Sequence, residues 1–282
     1  MPSISRRALL ATSGAAMISQ TPLRAARAAG KPRVTVITQW SAGSDGAAIT
    51  ALGKLFTQAG GDWQHNPVPG FTTDMMNKLR AQILSGDPPA VSQLKGPEIA
   101  AWSKIAPTVN LDEDVKAAGY EKVVAPDLVK LHAPYGHWIS LPWPVSRITS
   151  NWISKKAADK VGVTAIPKTW AEYNAIGEKM AKAGIQPVAN GGTKWDNGMI
   201  WEIALCGISP AAYRKAVMEL DAATLKGPEV LAAFEQTRKM SLWMSPNTAS
   251  QHYSTFIPKF MKGDAGMLLM GGWVQGVYKN TG

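Results

Sequence analysis

Short runs of β-branched residues alternate along this chain with segments whose apolar residues recur at helical spacing. The first run, residues 34–38, predicts a strand. Small and polar residues over 41–46 predict a turn, and apolar residues between Ala47 and Phe56 predict a helix. Later segments repeat this order, with a helix expected at 74–84 and a buried strand at 90–94. Because such alternation is typical of a mostly parallel sheet covered by helices, the sequence predicts an α/β fold.

A proline-interrupted apolar segment, residues 138–144, breaks this alternation. Proline cannot donate a ladder hydrogen bond, so the segment is expected to be extended but outside a central strand. We interpret it as the start of a crossover between two lobes. The predicted division is an N-terminal lobe over 29–140, a hinge over 141–150 and a C-terminal α/β lobe over 151–282.

The first residues have the pattern of an export signal. Arg6 and Arg7 form a twin-arginine pair, followed by a weakly apolar run over 8–18 that is shorter than the ~20 residues of a membrane span. Ala26-Arg27-Ala28 then supplies a small-residue cleavage site. The sequence therefore predicts a signal peptide over 1–28, export by the twin-arginine route and a periplasmic mature protein.

Charge and cysteine usage exclude several classes of protein. The chain of 282 residues has a net charge of +10, of which four charges lie in the predicted signal peptide. The remaining lysines are scattered, whereas nucleic-acid-binding proteins concentrate charge on one face. Cys206 is the only cysteine, so an intramolecular disulfide and a thiolate metal cluster are both excluded.

Tryptophan is unusually frequent, with 11 tryptophans against 5 phenylalanines. An indole offers a broad apolar face and one N–H donor, which suits the C–H face and hydroxyls of a sugar ring. Trp40, Trp195 and Trp273 are predicted to lie where loops leave strands or turns. Six further tryptophans are expected to pack within the lobes, namely Trp63, Trp102, Trp152, Trp170, Trp201 and Trp243.

Polar side chains accompany the three loop tryptophans. Carboxylates, amides and guanidinium groups bond pairs of hydroxyls, and open α/β sheets bind ligands at the carboxyl ends of their strands. The predicted ligand-binding residues are Trp40, Ser44, Asp45, Gln93, Lys95, Arg147, Trp195, Asp196 and Trp273.

Catalytic and metal-binding patterns were sought as alternatives. The four histidines include no H-x-x-x-H pair, and the chain has no G-x-S-x-G or G-x-x-x-x-G-K-[ST] motif. We therefore predict no catalytic residue, no metal site and no cofactor. A glycosidase needs two opposed carboxylates, and no such pair stands out. An exported carbohydrate-active enzyme remains the alternative from another class.

From Lys31 to its end the chain resembles the extracellular solute-binding proteins of carbohydrate ABC importers, with the closest likeness to glucose- and mannose-type receptors. Six segments carry this resemblance in the family's order: Trp40 with the loop after it, 86–89, 93–96, 142–156, 167–173 and 262–273.

The resemblance implies two α/β lobes of the type II periplasmic-binding-protein architecture, which close on a sugar by a hinge motion. It also implies a monomer that passes its ligand to an inner-membrane permease. Such receptors often carry aspartate before the last tryptophan and histidine before the crossover arginine, where this chain has Gly272 and Ser146. These differences disfavour glucose itself and leave another polyol or an oligosaccharide open.

Members of this family continue past the position that corresponds to Gly282. The resemblance therefore implies a second lobe that is incomplete at its C-terminal end. A truncated fragment that does not bind sugar remains a further alternative.

Overall fold

A computed structural model describes residues 31–41, 43–68, 70 and 72–281. The predicted signal peptide lies outside the described residues. The first lobe is formed by β1 (Arg33–Thr38), α1 (Gly43–Gln58), β2 (Asp62–Pro67), α2 (Thr72–Leu84), β3 (Val91–Ser92), α3 (Glu98–Trp102), α4 (Asp112–Ala117) and α5 (Pro126–His132).

The sheet of the first lobe has the order β2-β1-β3, and both strand pairings are parallel. Ile37 on β1 packs against Met75 and Leu79 of α2 and against Trp102 of α3. The strand β2 was not predicted, since its polar sequence DWQHNP carries no alternating apolar pattern.

The prediction of a buried strand at 90–94 was wrong in length and burial. Only Val91 and Ser92 pair with β1, and Val91 is 47% exposed. The reason is that β3 lies at the edge of the sheet, where one side is open.

The second lobe is larger and contains more helix. It is formed by β4 (Asn151–Ile153), α6 (Lys155–Lys160), α7 (Trp170–Lys182), β5 (Gln186–Val188), α8 (Lys194–Ile208), α9 (Pro210–Tyr213), α10 (Ala222–Leu225), α11 (Pro228–Ser241), α12 (Ile257–Lys262), β6 (Ala265–Leu269) and α13 (Val274–Thr281). A π-helical turn, Arg214–Met218, follows α9.

The core of the second lobe surrounds its central strand. The sheet order is β4-β6-β5, with β6 antiparallel to β4 and parallel to β5. All five residues of β6 are buried. Met180 of α7, Leu205 of α8 and Met240 of α11 belong to the same continuous apolar core. The predicted α/β class with mostly parallel strand pairing is confirmed.

The sequence Thr169-x-x-Glu172 before α7 predicts a capping box. The Oγ1 of Thr169 accepts a hydrogen bond from the N–H of Glu172 at 3.2 Å. The Glu172 carboxylate accepts one from the N–H of Lys168 at 2.6 Å, one residue before the reciprocal partner of an ideal capping box.

The segment 141–150 forms neither helix nor strand, in agreement with its prolines. Pro142 is buried, and its carbonyl oxygen accepts a 2.9 Å hydrogen bond from the Tyr120 hydroxyl. The crossover is therefore held against the first lobe, while the lobe boundaries themselves stay a prediction. In the part of the chain that the structure describes, no helix has the length and apolar character needed to cross a membrane.

The two lobes meet where α13 packs against the start of α1. A Cβ atom at Gly276 would lie 2.5 Å from the backbone N and the Cβ of Ser44. Glycine at position 276 therefore permits this close approach. The helix α13 was not predicted from the sequence, and it follows directly after Trp273, one of the predicted ligand-binding residues.

Candidate ligand-binding site

Two of the three predicted stacking tryptophans lie together in the second lobe. The ring centroids of Trp195 and Trp273 are 6.0 Å apart, and their planes meet at 43°. His252 stacks on Trp195 at 5.9 Å, and Tyr253 lies 6.0 Å from the same indole. Trp195 remains 36% exposed. These four rings, Trp195, His252, Tyr253 and Trp273, are called the aromatic cluster.

The first turn of α8 is bonded to the backbone of the aromatic cluster. Thr193 caps the helix, since its Oγ1 accepts a hydrogen bond from the N–H of Asp196 at 3.2 Å. The Thr193 hydroxyl also donates to the Asp196 carboxylate, which is fully buried. Oδ1 of Asp196 accepts from the N–H of Tyr253 at 3.2 Å. Asp196 therefore bonds to protein groups and fixes the backbone that carries Tyr253.

The helix α8 begins at Lys194, so the loop expected around Trp195 is its first turn. The cap from Thr193 and the Asp196 carboxylate at the positive helix end favour this earlier start. Trp195 is therefore held by a helix.

The loop before α8 holds the segment 251–253 by close backbone contact. A Cβ atom at Gly191 would lie 2.5 Å from both the Gln251 carbonyl oxygen and the Tyr253 nitrogen. Asn190, fully buried, ties this loop to β6: its amide donates to the Leu269 carbonyl at 2.7 Å and accepts from the Leu269 N–H at 2.9 Å. The central sheet thus fixes the position of the aromatic cluster.

Two predicted residues reach the aromatic cluster from the first lobe. The Ser44 hydroxyl donates a 2.8 Å hydrogen bond to the Trp273 carbonyl oxygen. Burial raises the pKa of Asp45 above its ordinary value. Burial also raises the pKa of Tyr253, and the nearby carboxylates of Asp45 and Asp196 raise it further, against a lowering effect of a hydrogen bond with Trp273. The Asp45 carboxylate is therefore close enough to raise the pKa of the Tyr253 hydroxyl.

The predicted turn at 41–46 was wrong from Gly43 onward, because α1 begins there. Gly43 has a φ of +68°, which glycine adopts without strain, and Asp45 lies in the first turn of the helix. The start of α1 thereby aims Ser44 and Asp45 at the second lobe.

Gln93 and Lys95 form a hydrogen-bonded network in the first lobe. The N–H of Gln39 donates to Oε1 of Gln93 at 2.9 Å. The Thr72 hydroxyl donates to Oε1 of Gln39 at 2.8 Å and accepts from Nζ of Lys95 at 2.9 Å. Gln39 follows the carboxyl end of β1, and Gln93 and Lys95 follow that of β3, where the parallel sheet predicts a ligand site.

Trp40 and Arg147 are placed differently from the other predicted residues. Trp40 meets Trp143 of the crossover edge to face, with centroids 6.1 Å apart and planes at 72°. Its ring contact is therefore with the crossover. Arg147 is exposed, and its carbonyl oxygen accepts a 2.8 Å hydrogen bond from the N–H of Gly272.

Sequence reasoning missed three aromatic residues of this region, namely Trp143, His252 and Tyr253. Trp143 lies between two prolines in a segment that was interpreted only as a connection. His252 and Tyr253 follow a stretch without strong periodicity, and only tertiary contacts bring them to Trp195. The sequence offered one signal for His252 and Tyr253, namely that two ring residues stand side by side after a polar loop.

The chemistry available at this junction is hydrogen bonding and ring stacking. Among residues 31–281 outside the undescribed positions 42, 69 and 71, no group of three histidine, cysteine or acidic side chains could hold a metal ion. Carboxylate, amide, hydroxyl and indole groups can exchange hydrogen bonds with a neutral polyhydroxylated molecule.

Comparison with known proteins places these features in a family. The profile of the family described as bacterial extracellular solute-binding protein matches residues 40–281. A "probable sugar-binding periplasmic protein" of Rhizobium meliloti (strain 1021) is 32% identical over 265 residues, which cover 94% of this chain and 63% of the relative. A protein of the same description from Brucella suis biovar 1 (strain 1330) is 30% identical over 258 residues, or 91% of this chain and 61% of that protein.

Solved structures show the same architecture. A chitin oligosaccharide binding protein superposes with a TM-score of 0.69 at 23% identity, covering 87% of this chain and 62% of that one. The solute-binding protein RafE in complex with raffinose gives a TM-score of 0.65 at 17% identity, covering 88% and 64% of the two chains. At these identities the likeness shows the fold, which is the two-lobe type II architecture.

This chain spans a little over 60% of the length of the relatives it matches. The family match covers most of the chain, from the loop that carries Trp40 to the last turn of α13. The chain belongs to the bacterial extracellular solute-binding protein family.

Proposed function

We propose that this protein is the substrate-binding component of an ABC sugar importer and binds a carbohydrate between its two lobes without chemical conversion. The observation that carries the proposal is the aromatic cluster, in which Trp195 remains partly exposed and the first turn of α1 approaches from the other lobe. A sugar could stack on this indole while carboxylate and hydroxyl groups bond its hydroxyls. The sugar-binding descriptions of the relatives support the same class of ligand.

The nine predicted residues take different roles in this proposal. Trp195 and Trp273 provide stacking faces, and Ser44 and Asp45 provide polar groups from the first lobe. Asp196 holds Tyr253 in place from its buried position. The residues proposed to complete the first-lobe side of the cleft are Gln93, Lys95, Trp40 and Arg147.

We further propose that the protein acts in the periplasm as a monomer and delivers its ligand to an inner-membrane permease. The periplasmic descriptions of the relatives support this location. The twin-arginine pair Arg6-Arg7 supports export by the corresponding route. Fusion of residues 1–30 to a reporter, with Arg6→Lys and Arg7→Lys as the comparison, tests the route: export should be lost in the paired variant.

Titration calorimetry of the purified chain tests the binding proposal. A panel of monosaccharides and oligosaccharides should include a ligand that binds saturably and changes the tryptophan fluorescence. Trp195→Ala should weaken that binding by about 10-fold or more, since a stacking contact of ~1.5 kcal/mol is lost. Ile166→Ala is the matched control, because Ile166 is a 78% exposed residue in the loop before α7.

Two results would contradict the proposal. A folded protein that binds no sugar in the panel would argue against the receptor function. Hydrolysis of a nitrophenyl glycoside, abolished by Asp45→Asn, would instead favour the carbohydrate-active enzyme.

A further inference from the structure

An open groove, here called the edge groove, runs along the outer side of the first lobe between α1 and β2. Two adjoining depressions of about 490 and 700 Å³ form it, and Thr57 and Trp63 line both. The residues that α1 contributes recur at helical spacing, namely Thr50, Gly53, Lys54, Thr57 and Gln58. None of the nine predicted ligand-binding residues lines this groove. It is therefore separate from the candidate ligand-binding site.

The strand β2 presents unpaired backbone groups to the edge groove. In the part of the chain that the structure describes, β2 ends the sheet order and has a partner strand on one side only. The N–H groups of Asp62 and Val68 donate to carbonyl oxygens on the β1 side, at 2.9 and 2.7 Å. Because the bonding direction alternates along a strand, the N–H and C=O groups of Trp63 and His65 point away from β1. Both residues line the groove, which therefore offers the backbone hydrogen bonds that an added strand needs.

Trp63 gives the edge groove a fixed apolar wall. Its indole packs closely on α1, because a Cβ atom at Gly53 would lie only 2.5 Å from Cδ1 of Trp63. The ring of Phe56 lies against the same indole, with centroids 5.8 Å apart. Trp63 is only partly buried, so part of its ring remains available to the side chains of a bound segment.

The edge groove carries a positive charge. Two of its four charged side chains neutralise each other, since Nε of Arg33 lies 2.8 Å from Oδ2 of Asp62. The other two, Lys31 and Lys54, are exposed and have no ion-pair partner among the described residues. Electrostatic complementarity therefore favours a segment that carries carboxylates.

The same charge disfavours two occupants that the chain itself could supply. Residues 1–30 contain four arginines and no acidic residue, so Lys31 and Lys54 would repel them. A second copy that paired through the same edge would bring its own two lysines to the contact and place like charges together.

We propose that the edge groove binds an extended acidic segment of a partner protein, which pairs with β2 as an added strand and places its carboxylates near Lys31 and Lys54. This binding site goes beyond the proposed sugar-binding function and does not depend on it. Since the groove lies outside the candidate ligand-binding site, the partner can be held whether or not a sugar is bound.

Short synthetic peptides and the purified chain test this proposal. One peptide alternates glutamate with valine, a second has lysine in place of glutamate, and a third keeps the glutamates but carries N-methylated backbone amides. The glutamate peptide should bind at millimolar concentration or below, at least about 10-fold more tightly than the other two. In NMR spectra the backbone amide signals of Trp63 and His65 should shift on binding, and that of Trp195 should not.

A charge-reversed variant tests the role of the lysines. Lys54→Glu should weaken binding of the glutamate peptide about 5- to 10-fold and leave sugar affinity unchanged. Lys78→Glu is the matched control, because Lys78 is an exposed lysine in the middle of α2 and does not line the groove. It should bind the peptide as the wild type does, and circular dichroism checks that both variants fold.

Four results would overturn the proposal. Equal binding of the lysine peptide would remove the acidic specificity, and equal binding of the N-methylated peptide would exclude strand addition. Failure of the glutamate peptide to bind the folded chain at millimolar concentration would reject the site. Self-association detected by ultracentrifugation and altered by Lys54→Glu, or tighter binding of a peptide of residues 1–30, would assign the groove to the chain itself.

Discussion

The buried apolar core of the second lobe is much larger than that of the first lobe. In the second lobe one apolar core runs from α7 through the fully buried strand β6 to α11 and α12. In the first lobe the corresponding cluster around β1 contains Ile37, Met75, Leu79 and Trp102 as its buried members. Since burial of apolar surface is the main stabilising term, the second lobe should hold most of the stability of this chain.

Side-chain caps on α-helices are found in the second lobe. Thr169, Thr193, Ser209 and Asp221 cap α7, α8, α9 and α10, whereas α6, α11 and α12 have no side-chain cap. The helices α3, α4 and α5 of the first lobe have no side-chain cap. The aromatic cluster therefore belongs to the lobe with the larger apolar core and the greater expected stability. Ser44 and Asp45 belong to the less stable lobe.

The largest expected effect comes from removing one leucine from each core. Leu268→Ala on β6 should lower the free energy of unfolding of the second lobe by about 3–5 kcal/mol, because it leaves a cavity in a continuous core. Leu79→Ala on α2 should cost about 2–3 kcal/mol and affect the first lobe. Hydrogen exchange should report these as two separate opening reactions, with the first lobe opening more readily.

A single unfolding transition, shifted equally by both leucine variants, would contradict the claim that the two lobes differ in stability. It would show that the lobes unfold as one cooperative unit despite their different cores.

The next effect concerns the contact between the lobes. Gly276→Ala should cost about 1–3 kcal/mol, since the new methyl group would lie 2.5 Å from Ser44 and force α13 away from α1. Gly272→Ala is the matched control, because the nearest atom to its new Cβ is the Arg147 carbonyl oxygen at 3.7 Å. Thermal unfolding of both variants measures the difference. Equal destabilisation would mean that the α1–α13 contact contributes nothing specific.

Removal of a helix cap gives a smaller change within the second lobe. Thr193→Ala should cost about 1–2 kcal/mol, because it removes the cap of α8 and a partner of the buried Asp196 carboxylate. Thr169→Ala, which removes a cap without a buried carboxylate, should cost about 1 kcal/mol or less. Urea denaturation compares the two, and a larger loss in Thr169→Ala would contradict this explanation.

The smallest expected effect is a pH-dependent gain in stability for Asp45→Asn. The folded protein holds the Asp45 proton more tightly than the unfolded chain, since burial raises the carboxyl pKa. The charged form therefore destabilises the folded state at neutral pH, and this penalty disappears as pH falls through the raised pKa. Asp45→Asn should raise Tm by no more than about 2 °C at pH 7, and this difference should vanish near pH 4.

A lower Tm for Asp45→Asn at pH 7 would show that the carboxylate stabilises the junction. The variant should also bind the proposed sugar more weakly. If Asp45→Asn raises Tm and weakens sugar binding, the Asp45 charge lowers the stability of the fold and contributes to affinity.

Local sequence patterns predicted much of the fold and only part of the site. The β-branched strand β1, the helix α2 and the cap at Thr169 follow from residues close in sequence. The strand β2 could not be predicted, because its polar residues form a strand only by pairing with β1. The helices α1 and α8 start earlier than their apolar patterns, since Gly43 and Thr193 set their first turns.

Of the three tryptophans that the sequence singles out, Trp195 and Trp273 have their rings in contact. Trp40 instead contacts Trp143, which no periodic pattern indicates. His252 and Tyr253 join the aromatic cluster through contacts remote in sequence, including the bond from the Tyr253 N–H to the Asp196 carboxylate, 57 positions earlier. Which of the nine predicted residues touch a ligand stays a prediction.

The hydrogen bond from Ser44 to Trp273 joins positions 229 apart in the chain, which has a consequence for the order of folding. During synthesis from the N-terminus, the first turn of α1 emerges long before α13, its packing partner. The unit formed by β1 and α1 must therefore wait, with this end of α1 unpaired, until α13 has been synthesised. Contacts of such long range slow folding, so the junction between the lobes should be among the last regions to reach its native arrangement.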